Sequence, residues 1–275
     1  MSLTPPIALT IAGSDPSGGA GIQADLKTFT ALGVYGASVI TALTAQNTRG
    51  VTGVMKVPAD FIAAQFDAVT SDLAIGAIKT GMLADTETVA SVSTLLSRLR
   101  GIPIVVDPVM VATSGDRLLD ENAVAAVRER LIPLASLITP NLPEAAALLS
   151  TEVARSDAEL TEQAEALLQL GCAAVLIKGG HGCGDEAVDL LVTASGDCLR
   201  LSAPRIAKRN THGTGCTLAA AIAANLASGR ALTDSVQTAK AFVWSAINSA
   251  ATQQIGGGNG PVDHLFSIRN PPLES

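Results

Sequence analysis

NTHGTGCTLAAAIAANL, residues 210–226, places a glycine turn and a thiol at the start of an apolar helix. The first N–H groups of such a helix have no partner within it and lie at the positive end of its dipole, so they favour a bound anion. Gly213 and Gly215 allow the anion to approach the backbone closely. We expect Cys216, in the same field, to be more acidic than a free thiol and to accept a proton beside a bound phosphate. The alternative is a glycine turn that opens a packed helix, with Cys216 in the core.

Upstream of this turn, short apolar runs alternate with amphipathic stretches. The runs predict buried strands at residues 7–12, 37–45, 74–80, 104–107, 137–139 and 175–178. The stretches between them repeat apolar residues at helical spacing, at 22–32, 61–69, 88–99, 123–131 and 160–170. Residues 187–193 and 198–202 predict a hairpin. Alternating strands and helices indicate an α/β fold whose mostly parallel sheet is covered by helices on both faces.

The composition agrees with one domain of this class. The chain has 275 residues, of which 48% are hydrophobic and only 3% are aromatic. Small aliphatic residues suit buried parallel strands and close helix packing. No Pro/Ser-rich linker divides the chain, so we predict a single domain over residues 1–275. Residues 256–275, which begin with a glycine-rich segment, are predicted to form a short tail.

Charge and cysteine content exclude several classes of protein. The formal net charge of −7 argues against a surface for nucleic acid or anionic membranes. The four cysteines show no Cys-x-x-Cys spacing, and the N-terminus has no secretory pattern. No apolar run approaches the roughly 20 residues that span a bilayer. We therefore expect a reduced, cytoplasmic protein without nucleic-acid or membrane partners.

Residues capable of chemistry follow several predicted strands at the point where each ends. They include the amide Gln46, the carboxylates Asp107 and Glu144, and the amine Lys178. The carboxyl ends of parallel strands meet at one edge of a sheet, where ligands bind. Each residue alone has a plain explanation as a turn residue, a helix start or a rim charge. Their convergence with residues 213–216 predicts an active site.

These groups suit phosphoryl transfer, which needs neutralised phosphate charge, a metal held by carboxylates and water, and an oriented nucleophile. The amides of residues 213–216 can hold the transferring group, Lys178 the nucleotide phosphates, and Asp107 with Glu144 a Mg²⁺ ion. The glycine-rich segment 13–21 matches neither the P-loop pattern nor the dinucleotide fingerprint. A P-loop enzyme is therefore excluded.

Seven motifs in order extend over nearly the whole chain. They are AGSD with GGAGIQADLK (12–15 and 18–27), ALTAQN (42–47), KTGM (79–82), DPVM (107–110), TPNLPE (139–144), KGGH (178–181) and HGTGCT (212–217). Together they resemble the hydroxymethylpyrimidine/phosphomethylpyrimidine kinases of thiamine biosynthesis, in the ribokinase-like superfamily. The resemblance implies a three-layer α/β/α fold, ATP with Mg²⁺, and two phosphorylations. The first converts 4-amino-5-hydroxymethyl-2-methylpyrimidine to its monophosphate, and the second makes the diphosphate.

The resemblance also implies a role for each matching residue. Cys216 stands where most of the superfamily has an aspartate base, within an anion hole formed by Gly213, Thr214 and Gly215. Gln46 is implied to bind the amino group and ring nitrogen of the pyrimidine through its amide. The other implied substrate-binding residues are Gly13, Ala20, Asp25, Met82 and Val109.

The nucleotide and metal positions follow from the same resemblance. Lys178 matches the family's phosphate-binding position, and Glu144 its metal position, with Asp107 expected near the same ion. The adenine pocket is assigned to the helix around Lys240 and Val243, which would otherwise be a surface lysine and a core valine.

Two histidines and one basic segment have two possible interpretations each. His181 and His212 either order the loops that bind phosphate or touch the phosphate itself. The basic run at 205–209 either attracts nucleotide or is a solvated strand end.

Two other functions stay open. A pyridoxal or pyridoxine kinase of the same superfamily is the runner-up, because some relatives with a Gly-Thr-Gly-Cys turn accept vitamin B6 substrates. A non-catalytic pyrimidine-binding protein would be expected to lack Glu144, Lys178 or Cys216, and all three are present. The resemblance also implies a homodimer, and residues 180–184 are a candidate lid over the phosphates.

Overall fold

The central feature of the fold is an eight-stranded sheet. The structure, a computed structural model, describes residues 4–112, 115–116, 118–180, 184–206 and 210–269. In chain order the strands are β1 (Ile7–Ala12), β2 (Tyr35–Ile40), β3 (Ala42–Asn47), β4 (Gly50–Lys56), β5 (Ala77–Thr80), β6 (Ile104–Val106), β7 (Leu137–Ile138), β8 (Ala174–Ile177), β9 (Glu186–Thr193) and β10 (Cys198–Pro204). The order in the sheet is β10-β9-β8-β7-β6-β5-β1-β2. The strands from β2 to β8 in this order are parallel, whereas β9 and β10 form an antiparallel edge.

Helices cover both faces of this sheet. They are α1 (Gly21–Ala31), α2 (Ala59–Thr70), α3 (Thr86–Leu96), α4 (Glu121–Ala126), α5 (Leu142–Leu149), α6 (Asp157–Leu168), α7 (Thr214–Ala227), α8 (Leu232–Ala250) and α9 (Phe266–Arg269). Alternate residues of β8 divide between the faces: Val175 and Ile177 pack with α2 to α6, and Ala174 and Leu176 with α1, α7 and α8. Two buried cores therefore lie on opposite sides of the sheet, and the predicted three-layer α/β/α fold is confirmed.

The prediction of one strand over residues 37–45 is wrong. The chain leaves the main sheet at Thr41, whose N–H donates to Ala12 O and whose hydroxyl donates to Met82 O. Beyond Thr41, β3 pairs with β4 in a separate two-stranded sheet. The sequence did not predict β4, because most of its residues are exposed and therefore lack an apolar alternation.

The prediction of a tail from residue 256 onwards is also corrected. Val262, Asp263 and His264 are buried, and Pro261 pairs with His212 at the glycine turn. The described end of the chain thus packs against the start of α7. Among the residues that the structure describes, no helix has both the length and the hydropathy to cross a membrane.

Candidate active site

A cavity of about 990 Å³ opens at the carboxyl ends of the parallel strands, as the strand-end residues predict. It reaches from the loop after β1 to the start of α7 and on to α8. Of the residues predicted for the site, the following line it: Gly13, Ala20, Gln46, Met82, Asp107, Val109, Glu144, Lys178, Gly213, Thr214, Gly215, Cys216, Lys240 and Val243. The structure thus brings together every predicted site residue except Asp25.

The glycine turn is packed tightly against the loop that follows β1. Gly213 has a left-handed φ of 78°, and a Cβ there would lie 1.8 Å from the carbonyl oxygen of Gly19. At Gly215 a Cβ would lie 3.3 Å from the Lys178 amine, so a side chain at this position would crowd that amine. The N–H of Thr214 already donates to Thr211 O at 3.2 Å. Of the three predicted anion-hole amides, that of Thr214 is therefore engaged within the turn.

Cys216 lies in the first turn of α7 and faces the cavity. The prediction of an acidified thiol is wrong for this structure, because burial raises the pKa of Cys216 to about 11. The ammonium of Lys79 and the N–H of Gly21 act to lower this pKa, but the cost of burying a thiolate, together with the nearby charges of Asp25 and Asp107, exceeds their effect.

Asp25, which the resemblance places near the substrate, is not among the residues that line the cavity. Its side chain is fully buried and pairs with Lys79, whose Nζ lies 2.8 and 3.0 Å from the two carboxylate oxygens. Thr10 donates to the same carboxylate at 2.6 Å. Burial alone disfavours the charge on Lys79, but Asp25 outweighs it and raises the pKa of that amine. A buried ion pair therefore lies below Cys216, which the sequence reading of the KTGM motif did not predict.

Lys178 lies between the two carboxylates that were predicted to hold a metal. Its Nζ is 2.8 Å from Asp107 Oδ1 and 3.9 Å from Glu144 Oε2. Burial raises the pKa of Glu144 to about 7, although the Lys178 charge opposes this shift. Burial also acts on Asp107, but there the charges of Lys178 and Lys79 prevail and lower the pKa. The pair thus combines a carboxylate that stays charged with a carboxyl that titrates near neutrality.

Local structure fixes Glu144 at the start of α5. Asn141 caps this helix through its side-chain oxygen, which accepts from Glu144 N, while Glu144 Oε2 accepts from Asn141 N, each at 2.8 Å. Within the described residues, no three His, Cys, Asp or Glu side chains are grouped to hold a metal by themselves. Two carboxylates are, however, a suitable protein share of a Mg²⁺ site that is completed by phosphate oxygens and water.

At the opposite end, Gln46 lies near a buried ion pair of Asp15 and His212. His212 Nε2 is 2.8 Å from Asp15 Oδ2 and 3.5 Å from Gln46 Nε2. Asp15 also accepts hydrogen bonds from the backbone N–H groups of Ser17, Gly19 and Ala20. Burial opposes the charge on Asp15, but the bonds from His212 and Ser17 hold its pKa well below the ordinary value. This pair, which the residue patterns did not single out, joins the loop after β1 to the glycine turn.

Lys240 is tied to the protein at the nucleotide end of the cavity. Its amine donates to Asp189 Oδ2 at 2.7 Å and to Ala187 O at 3.0 Å, and Asp189 Oδ1 accepts from Gly179 N. Lys240 therefore supports the loop after β8, and its predicted contact with the nucleotide stays a prediction. Arg205 donates to the carbonyl oxygens of Gly180, Gly184 and Glu186. The predictions for His181, for Lys208 and Arg209, and for the middle of the 180–184 lid fall outside the described residues.

The chain is similar in sequence to known kinases. The family model described as phosphomethylpyrimidine kinase matches residues 15–263. The hydroxymethylpyrimidine/phosphomethylpyrimidine kinase of Rhizobium meliloti (strain 1021) is 59% identical over 260 residues, which cover 94% of this chain and 97% of the relative.

Solved structures show the same fold. The phosphomethylpyrimidine kinase of Clostridium difficile 630 superimposes with a TM-score of 0.77 at 43% identity, over 88% of this chain and 99% of that one. The Staphylococcus aureus pyridoxal kinase in complex with AMP-PCP and pyridoxal gives a TM-score of 0.87 at 34% identity, over 97% of this chain and 96% of that one. The resemblance seen in the seven motifs and the ribokinase-like fold are confirmed, and the chain is a kinase that belongs to the phosphomethylpyrimidine kinase family.

Proposed function

We propose that this kinase transfers the terminal phosphoryl group of ATP to 4-amino-5-hydroxymethyl-2-methylpyrimidine, and then a second group to the monophosphate. One observation carries the proposal: a single cavity joins Gln46 to the 213–216 turn, in a chain 59% identical to a relative named for both reactions. The ATP analogue in the S. aureus pyridoxal kinase complex supports ATP as the donor.

In the first step the ring would lie against Gln46, between the apolar side chains of Met82 and Val109, with its hydroxymethyl group directed at the glycine turn. The backbone of Gly213 and Gly215 would hold the transferring phosphoryl group, and the charge of Lys178 would neutralise it. Cys216 would accept the hydroxyl proton. With a pKa of about 11 its thiol is mostly protonated at neutral pH, so this step should accelerate as the pH rises.

Asp107 and Glu144 would hold Mg²⁺ together with the nucleotide phosphates. The ion would neutralise phosphate charge, which these two oxygen donors and the adjacent Lys178 cannot do alone. Because Lys178 bonds Asp107 at 2.8 Å in this structure, we propose that its amine turns from the carboxylate towards the phosphates when nucleotide and metal bind.

We also propose a cytoplasmic homodimer. The free thiols of Cys172, Cys198 and Cys216 support a reducing compartment. Exposed apolar side chains on and beside the β3–β4 hairpin support self-association, with Met55 69% and Leu43 45% exposed. Light scattering coupled to size exclusion would test the dimer, and a monomer at micromolar concentration would contradict it.

Pyridoxal kinase activity is the second candidate, because pyridoxal kinases superimpose on this chain with TM-scores of 0.87 and 0.88. An ADP-release assay with the pyrimidine alcohol, its monophosphate, pyridoxal and pyridoxine separates the two. We expect the highest kcat/KM for the pyrimidine alcohol and clear turnover of its monophosphate. Preference for pyridoxal would support the second candidate, and no ADP release with any of the four would support a non-catalytic protein.

A further inference from the structure

The Gln46 carboxamide lies between two polar neighbours. On one side, Thr44 Oγ1 is 3.2 Å from the side-chain oxygen of Gln46 and 2.8 Å from the carbonyl oxygen of Ser14. On the other side, His212 Nε2 is 3.5 Å from the amide nitrogen of Gln46 and 2.8 Å from Asp15 Oδ2. A half-turn of the carboxamide exchanges its oxygen and nitrogen with almost no change of shape. The neighbours therefore decide which end points where.

The bond between His212 and Asp15 determines which hydrogen-bonding group His212 presents to Gln46. Asp15 accepts bonds from the N–H groups of Ser17, Gly19 and Ala20 and has no hydrogen to donate. The bond between Asp15 and His212 therefore requires a hydrogen on Nε2, whether the ring is neutral or charged. Because Nε2 carries this hydrogen, it has no lone pair that could accept a bond from the amide nitrogen of Gln46. An oxygen at the same place could share the hydrogen that Nε2 donates to Asp15.

The Thr44 side offers the opposite. A hydroxyl has one hydrogen, and the carbonyl of Ser14 can only accept, at the shorter distance of 2.8 Å. The Thr44 hydrogen is therefore used by Ser14, and its lone pair is directed at Gln46. If the amide nitrogen of Gln46 pointed towards His212, its N–H would face the N–H of Nε2. The amide oxygen would then face the lone pair of the Thr44 hydroxyl.

We infer that Asp15, His212 and Thr44 are positioning residues that hold the Gln46 carbonyl towards His212 and its NH₂ group towards Thr44. In this orientation the NH₂ group donates to Thr44 and the carbonyl oxygen faces the N–H of His212, so neither contact is repulsive. One lone pair and one N–H of the amide remain for the ligand. The three residues thereby fix the order of acceptor and donor that the pocket presents.

This order selects a class of ring, a consequence that rests on the proposed function. A 4-aminopyrimidine offers a donor at its amino group and an acceptor at the adjacent ring nitrogen, which match the amide. The 4-oxo ring carries an acceptor and an N–H at the same two positions, so it would need the carboxamide turned over. A held carboxamide should therefore reject the 4-oxo ring, although both rings have almost the same shape.

The test uses Thr44→Val, which keeps the shape of the side chain and removes the hydroxyl. Calorimetric affinity and kcat/KM are measured for 4-amino- and 4-oxo-5-hydroxymethyl-2-methylpyrimidine. We expect the unmodified protein to prefer the amino ring by roughly 10²-fold, because the wrong ring leaves polar groups unpaired. In Thr44→Val this preference should fall by about tenfold while the KM for ATP is unchanged. Thr44→Ser should restore it.

Thr52→Val is the matched control, because Thr52 lies on the adjacent strand β4, is exposed and donates only to Ala45 O at 3.0 Å. It should keep the full preference. Asp15→Asn is a second variant, since an amide can donate to His212 and free Nε2 from its hydrogen, and it should lower the same ratio.

An unchanged preference in folded Thr44→Val and Asp15→Asn would overturn the inference, as would equal losses of affinity for the two rings. Absent turnover with a calorimetric preference that still falls in the variants would refute the proposed reaction and support the orientation of Gln46.

Discussion

The role of Cys216 can be tested through the pH dependence of the two phosphorylations. Burial raises the pKa of this thiol to about 11, so the thiolate is the minor form throughout the neutral range. Its fraction is about 10⁻⁴ at pH 7 and about 10⁻² at pH 9, since each pH unit below the pKa lowers it tenfold. If the thiolate accepts the hydroxyl proton, the rate of the alcohol step should rise by roughly 100-fold from pH 7 to pH 9.

The second phosphorylation supplies an internal control. Its nucleophile is a phosphate oxygen whose second pKa is about 6, so it is already charged at pH 7 and needs no base. The rate of this step should be nearly flat over the same range. Cys216→Ala should lower the alcohol step by about 10²-fold or more at pH 8 and remove its rise with pH, but affect the phosphate step much less. The backbone of the glycine turn remains in this variant.

The assay is single-turnover phosphorylation of each substrate with saturating ATP, from pH 7 to pH 9. Cys198→Ala is the matched control, because this thiol is exposed on strand β10 and lies outside the cavity lining. Equal losses for the two substrates in Cys216→Ala would refute the reasoning, since they would indicate a packing role. A pH slope that survives in Cys216→Ala would assign the base to another group.

Three further variants test other parts of the account. Glu144→Gln should abolish turnover at limiting Mg²⁺ while calorimetry still detects pyrimidine binding, and unchanged turnover would remove Glu144 from the metal site. Gln46→Ala should weaken pyrimidine binding by about 1–3 kcal/mol and leave ATP affinity nearly unchanged, whereas equal losses would indicate a structural role. Lys79→Met should lower the free energy of unfolding in urea by about 3–5 kcal/mol, because it leaves Asp25 buried without its partner. The double variant Lys79→Met/Asp25→Asn should recover part of that loss. A loss of stability in the double variant equal to the sum of the losses in the two single variants would contradict the coupling.

The sequence predicted that the site residues lie close together, because the topology of a parallel sheet places the carboxyl ends of its strands at one edge. Once alternating strands and helices indicate a parallel sheet, Asp107 and Lys178 must share one edge, however far apart they lie in the chain. Gln46 reaches this edge by another route, on strand β3 of the separate hairpin. The glycine turn before α7 could also be predicted, because its glycines and the apolar helix that follows are adjacent in the sequence. The family resemblance then supplied roles that position alone did not.

What the sequence did not predict depends on burial and on partners distant in the chain. The position of Cys216 at a helix start predicts an acidic thiol, but the burial that raises its pKa is a tertiary property. Asp25 meets Lys79 from 54 residues away, and nothing in the local pattern pairs them. Lys240 likewise forms an ion pair with Asp189, 51 residues away in the chain. The exposed strand β4 lacks the apolar periodicity on which strand prediction rests.

The most direct test of the central claim is phosphorus NMR of one reaction that contains the protein, ATP, Mg²⁺ and 4-amino-5-hydroxymethyl-2-methylpyrimidine. We predict that the monophosphate resonance appears first and is then replaced by the two resonances of the diphosphate, with one ADP released for each group transferred. A reaction that stops at the monophosphate would contradict the second step. A sample in which the pyrimidine stays unmodified, while pyridoxal under the same conditions is phosphorylated, would contradict the proposed function as a whole.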